Sequence, residues 1–140
     1  MKFYQSKRNI LPGSSIDEVL PLARMLYKQA CSKTRRTPYI NAKYKGFNTP
    51  KIFLDLFWTH IFQKSPKERT QRLKFYHCAL DVIRNSKIEP EIQTPLDKTI
   101  RLYRIYGVSR DGKKFCIQIK EDKKTGRKYF MSVFPWKNRV

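Results

Sequence analysis

Acidic side chains are in short supply here: 11 Asp and Glu face 31 Lys and Arg in a chain of 140 residues. A two-metal phosphoryl-transfer centre needs several carboxylates converging on Mg²⁺. In this chain Asp55 stands alone, Glu89 and Glu91 lie among prolines, and Glu121-Asp122 falls in a predicted turn. Cysteine is equally uninformative. Cys31, Cys78 and Cys116 are far apart, form no CxxC pair and have only two histidines to assist them, which argues against a zinc site and against a disulfide scaffold. Neither a metal nor any other cofactor is expected. There is no Gly-rich phosphate loop, no HExxH and no nucleophile elbow. No apolar run approaches the roughly 20 residues that span a bilayer, and "MKFYQSKRNILPG" has no h-region long enough for secretion. The expectation is a soluble, cytoplasmic protein with no membrane partner.

What the chain does have is apolar mass and positive charge. Hydrophobic residues make up 40%, including nine Phe and eight Tyr, enough for one real core. With no repeat, low-complexity block or long linker, residues 1–140 are read as one domain. The formal net charge is +20. Such an excess strains a compact state by self-repulsion unless a polyanion neutralises it, so nucleic acid leads the partner classes.

The first helix signal is "SSIDEVLPLARMLYKQACSKTRR". Ser15 and Glu18 have capping-box spacing, and Ile16, Val19, Leu20, Ala23, Leu26, Tyr27 and Ala30 recur at helical intervals, with Pro21 as a point of kinking or delayed start. "TPYINAKYKGFNTP" reads as a connecting loop with some extended character. "KIFLDLFWTHIF" reads as a short buried strand, Ile52 to Leu56, running into a helical turn that carries His60. "SPKERTQRLKFYHCALDVIRNS" predicts one helix of about five turns, with Ser65 as N-cap, Pro66 at its first position and Glu68 at its third. Beyond Pro90 and Pro95 the period becomes two. "TIRLYRIYGV", "KKFCIQIK" and "RKYFMSVF", joined by Gly-containing turns, predict a three-stranded antiparallel meander. Phe115, Ile117 and Ile119 fall on one face, and Lys114, Cys116, Gln118 and Lys120 on the other. Helices first and strands last imply an α+β fold, with N-terminal helices packed on one face of a C-terminal antiparallel β-sheet and the opposite face open to a ligand.

A sheet face bearing cations and aromatics suits a nucleic-acid strand, because cations meet phosphates while rings stack on unpaired bases. Arg101, Tyr103, Arg104 and Tyr106 interleave both types within six residues, and Lys114, Lys120, Arg69 and Trp136 extend the binding set. The scarcity of carboxylates favours RNA over DNA as substrate of any cleavage, since the 2′-OH of RNA can itself act as nucleophile.

The segment order carries a resemblance. "W-T-H-I" where a strand enters a helix, a basic helix ending "ALDVIRNSKIEP", and strands "YRIYGVSRDGKKFCIQIK" and "GRKYFMSVFPW" resemble the barnase/EndoU/colicin/RelE (BECR) group of nucleases, particularly its small phage and toxin members. His60-Ile61, Asn85 with Ile88-Glu89, and Ser132 match the group's motif positions. Lys64 stands where a basic or histidine position is often found, and Ser132 stands where Thr is common. The resemblance covers residues 51–136 and leaves 1–50 as a helical extension and loop. It implies a BECR-like core and a metal-independent endoribonuclease of a toxin, phage or mobile element, acting on tRNA or other RNA, with an acidic antitoxin or immunity protein as partner.

In such an enzyme a base accepts the 2′-OH proton, a cation offsets charge growing on the phosphorane, and an acid protonates the departing 5′-oxygen. His60 is the first choice for acid/base work, because imidazole titrates near neutral pH; the structural alternative is a ring packed between Trp58 and Phe62. Lys64, Arg69 or Arg72 supplies the cation, Ser132 holds a phosphate oxygen or orients the nucleophile, and Arg101 and Arg104 clamp the strand. His77 is a second proton carrier or a helix-surface residue. Two other classes stay open: a non-catalytic nucleic-acid binder, marked by salt-dependent binding without product, and a basic adaptor or inhibitor of an acidic protein.

Overall fold

In a computed structural model, residues 1–34, 36–93 and 97–137 are described. Arg35 and Pro95, which belong to two of the sequence signals above, lie outside them. The described chain is mixed α+β, with four helices and seven strands in one sheet. The meander is present as β5 (Ile100–Val108), β6 (Lys114–Asp122) and β7 (Lys128–Pro135). Its two tight connections turn at Gly112 and Gly126, both at positive φ, where a side chain would be strained.

The sheet is larger and less uniform than the period-two signal indicates. Four strands of three residues each join its margins: β1 (Phe3–Gln5), β2 (Tyr39–Asn41), β3 (Lys51–Phe53) and β4 (Glu91–Gln93). The order is β1-β5-β6-β7-β3-β2, with β4 also on β5; β1–β5 and β3–β7 are parallel pairs. The expectation of helices first and a purely antiparallel sheet last is therefore corrected. Three residues are too few to display alternation, and these strands form because the meander offers open edges that need backbone partners.

The first predicted helix appears as α1 (Ile16–Cys31) and continues through Pro21. Ser15 occupies the N-cap, but its hydroxyl donates to the Glu18 carboxylate at 3.1 Å instead of accepting a backbone N–H. The strand-to-helix reading of "KIFLDLFWTHIF" resolves into β3 and α2 (Asp55–Ile61). The single five-turn helix is two: α3 (Pro66–Leu73), capped by Ser65 accepting from Glu68 N–H, and α4 (Tyr76–Asn85). The break has a tertiary cause. Leu11 N–H takes the Lys74 carbonyl at 2.8 Å, which a continuous helix would use internally, and the Lys74 ammonium donates to the Gly13 carbonyl at 2.7 Å.

Register sorts the meander into two faces. On the inner face Phe115, Ile117, Ile119, Phe130 and Val133 are fully buried. Phe57 of α2 stacks on Phe130 at 4.7 Å between centroids, and Phe75 packs on Phe115 at 5.2 Å. Gly107 allows this closeness, since a Cβ there would lie 2.5 Å from the Phe115 ring and 3.0 Å from Val82 of α4. Helix α1 packs outside α3 and α4 and reaches the sheet at β2. β3 pairs with β7 only at Ile52↔Lys128 and Phe53↔Tyr129, after which α2 and α3 run along the rest of β7. That handover brings helical side chains round to the second sheet face.

Candidate nucleic-acid interface

The second face is a grid fixed by strand pairing. Arg104, Gln118 and Ser132 share one row, with Leu102, Lys120 and Tyr129 beside it and Tyr106, Cys116 and Phe134 on the other side. Ser132 reaches this face through a β-bulge. Ile119 pairs with Phe130, yet Gln118 pairs with Ser132, so Met131 is the extra residue. Strict alternation would have placed Ser132 on the inward face with Phe130; the bulge re-aims it. Its hydroxyl is buried and donates to Gln118 Oε1 at 3.3 Å.

Two guanidinium groups meet over one ring. Arg72, from α3, lies 5.6 Å from the Phe134 centroid, and Arg104, from β5, lies 5.8 Å from it. Both Nε atoms are buried without a hydrogen-bond partner. Arg72 is held by Glu68, to which its Nη2 donates at 2.7 Å. Arg104, Lys120 and Lys64 form no ion pair among the described residues. Buried N–H donors on paired cations are costly to leave unmet, and an oxyanion would satisfy them with charge-assisted bonds.

His60 completes the arrangement from α2. Its pKa is lowered from the usual 6.5, first by burial and then by the ammonium groups of Lys120 and Lys64. The imidazole is therefore neutral at pH 7 and free to accept a proton. Trp58 packs against Tyr27 and Tyr76, while Phe62 is exposed beneath the Arg24 and Arg69 guanidiniums. Lys120 also borders a cavity of about 410 Å³ with Leu56, Asp122 and Tyr129. Lys114 and Trp136 lie one row further out: Trp136 N–H donates to the Lys114 carbonyl, the indole packs edge-on to Tyr106 at 5.2 Å, and the Lys114 ammonium covers the Phe3 ring.

Other residues singled out in the sequence lie elsewhere. Arg69 donates to the carbonyls of Ile61, Phe62 and Lys64 at 3.3, 3.1 and 3.1 Å, so it caps α2 and offers little to a ligand. His77 lines a separate cavity with Arg8, Asp81 and Arg84, and burial there lowers its pKa. Asn85 holds the Asp81 carboxylate in the same region, at 2.7 Å. Arg101 and Tyr103 belong to the inward face, where Tyr103 is buried and donates to Glu121 at 3.2 Å and Arg101 pairs with Glu121 at 3.6 Å. Phe134 escaped sequence reasoning, because it reads as core and its role emerges only from cross-strand position.

Among the described residues no three His, Cys, Asp or Glu side chains gather as metal ligands. The Cys78 and Cys116 thiols are pushed up to about 12 by burial, which leaves neither as a nucleophile. No helix is long and apolar enough to cross a membrane. Comparison with protein-family models, curated proteins and solved structures finds no match to this chain.

Proposed function

We propose that this protein is a metal-independent endoribonuclease that cleaves RNA through attack of the 2′-hydroxyl, as its resemblance to the BECR nucleases implies. The observation that carries the reading is a sheet face on which Arg72 and Arg104 hold unmet donors over Phe134, one row from Lys120, whose ammonium with that of Lys64 lowers the pKa of His60. His60 accepts the 2′-OH proton as the 2′-oxygen bonds to phosphorus. Arg104 and Arg72 offset charge on the phosphorane oxygens, while Ser132 and Gln118 orient the sugar-phosphate. The Lys120 ammonium, beside the imidazole, delivers a proton to the 5′-oxygen as its bond to phosphorus breaks. The products are a 2′,3′-cyclic phosphate and a free 5′-hydroxyl. An acidic protein that covers this face would act as its inhibitor, the role an antitoxin fills.

Purified protein incubated with total RNA in EDTA gives fragments ending in cyclic phosphate, and His60→Ala abolishes them. Intact RNA with the unaltered protein overturns the proposal. A second reading, a binding module without catalysis, draws on the tie of Arg72 to Glu68 and the burial of Ser132. It requires binding whose logarithm falls linearly with the logarithm of salt, and no product.

A further inference from the structure

An aromatic ladder leads away from the site along the row that contains Lys120. Tyr129 pairs with Lys120 across β6–β7, Phe53 pairs with Tyr129 across β3–β7, and Tyr39 pairs with Phe53 across β2–β3. The ring centroids follow at 5.8 Å from Tyr129 to Phe53 and 6.0 Å from Phe53 to Tyr39. All three side chains are half-buried, and none belongs to the helix-covered core. Cations lie over the rings: Arg127 is 4.9 Å from the Phe53 centroid and Lys51 is 4.7 Å from that of Tyr39. Where the ladder meets the site, Tyr129 and Lys120 border the cavity of about 410 Å³.

These rings are not part of the buried core, and at the cavity Tyr129 has only Leu56 and Ile100 as apolar neighbours in the lining. Aromatic faces in series, two of them with a long, flexible cation resting on the ring, match a single-stranded polyanion with flat bases. A base takes the ring face, and the displaced ammonium or guanidinium moves to the adjoining phosphate. Paired bases in a duplex hide their faces and cannot make this exchange. The large apolar side chains that are most exposed, Met1, Met25, Phe62 and Ile92, lie off the ladder.

We infer that Tyr129, Phe53 and Tyr39 form a stacking subsite for unpaired nucleotides on one side of the phosphate bound at His60 and Arg104. The protein therefore selects single-stranded RNA over duplex. The inference rests on the reading of this face as an RNA site, but not on cleavage. The test uses short fluorescein-labelled RNAs, one unstructured and one a hairpin of the same composition, titrated by anisotropy into protein carrying His60→Ala. Tyr39→Leu, Phe53→Leu and Tyr129→Leu preserve apolar bulk and remove the π face. Each is expected to weaken binding of the unstructured RNA about tenfold per lost stack, with the hairpin unchanged and the slope of binding against salt unaltered. Lys51→Gln is expected to lower that slope without changing the preference for the unpaired strand. Equal losses for strand and hairpin, or no loss in ladder variants whose melting temperature is intact, overturn the inference. The two proposals separate cleanly. Ladder-dependent binding without cleavage by the unaltered protein refutes the nuclease alone, and cleavage indifferent to the ladder refutes the subsite alone.

Discussion

Arg101 and Arg104 stand three residues apart on one strand, and Lys120 and Lys128 flank one hairpin, yet each pair divides between two very different regions. On the inward margin Lys128 and Arg101 both have a partner. Lys128 is fully buried with its ammonium 3.2 Å from Glu121, it also donates to Asn48, and it lies over the Phe47 ring, while Arg101 leans on the same Glu121. On the outward face Arg104, Lys120 and Lys64 have no carboxylate within ion-pairing reach among the described residues. Residue type is the same in both regions. What differs is whether the fold provides the counter-charge or leaves it to a ligand.

The sharpest way to break this comparison is to remove the proton acceptor of the outward face. His60→Ala is expected to cut cleavage of RNA by about 10²–10⁴-fold while leaving the urea midpoint near that of the unaltered protein; an unfolded variant would make His60 a packing residue. On the inward side Lys128→Met leaves buried Glu121 with only the more distant Arg101 as counter-charge, at a cost of about 3 kcal/mol in urea denaturation. RNA affinity should hold at protein concentrations where the variant stays folded. Arg104→Ala tests the opposite pattern, with cleavage down about 100-fold and little change in melting. If Arg104 behaved like Lys128, the outward cations would be structural too.

Acid sharpens the contrast between the histidines. Both His60 and His77 have pKa values below the ordinary 6.5 in the folded protein. Their stabilising contribution is present above 6.5 and is lost as pH falls, because the unfolded chain takes up protons first. Stability followed by denaturation at falling pH should therefore decline below 6.5, and His77→Gln should blunt that decline. The acid limb of kcat/KM should also lie below 6.5 and be untouched by His77→Gln, since only His60 faces the site. The smallest effect expected is at the periphery. Lys114→Ala should weaken RNA binding modestly and reduce the salt slope by about 1.

The parts legible in the sequence were those with a long enough period. Meander strands of eight or nine residues, the Ser65-Pro66 helix start and the burial of Phe115, Ile117 and Ile119 follow from alternation and capping chemistry. Of the short strands, β1 and β4 did not show, β2 showed only as extended character in a loop and β3 only as the apolar run from Ile52, because three residues carry no pattern. The break between α3 and α4 did not show either, since it depends on Leu11 capturing a carbonyl that is distant in sequence. At the site, alternation separates Arg101 and Tyr103 from Arg104 and Tyr106, and a list of interleaved residue types hides that split. His60 stood out as one of two histidines, but nothing local distinguishes it from His77.

Composition and period alone determined a basic α+β chain with a C-terminal meander, because charge is a sum and alternation is a local property of extended backbone. Tertiary structure decided which cations go unpaired and which aromatics line a surface. Ser132 is the clearest instance: its parity assigns it to the core face, and one extra residue in β7 turns its hydroxyl toward Gln118 and Arg104's row. Bulges, edge pairings and buried counter-ions arise from contacts between distant segments, and no window of sequence contains both partners.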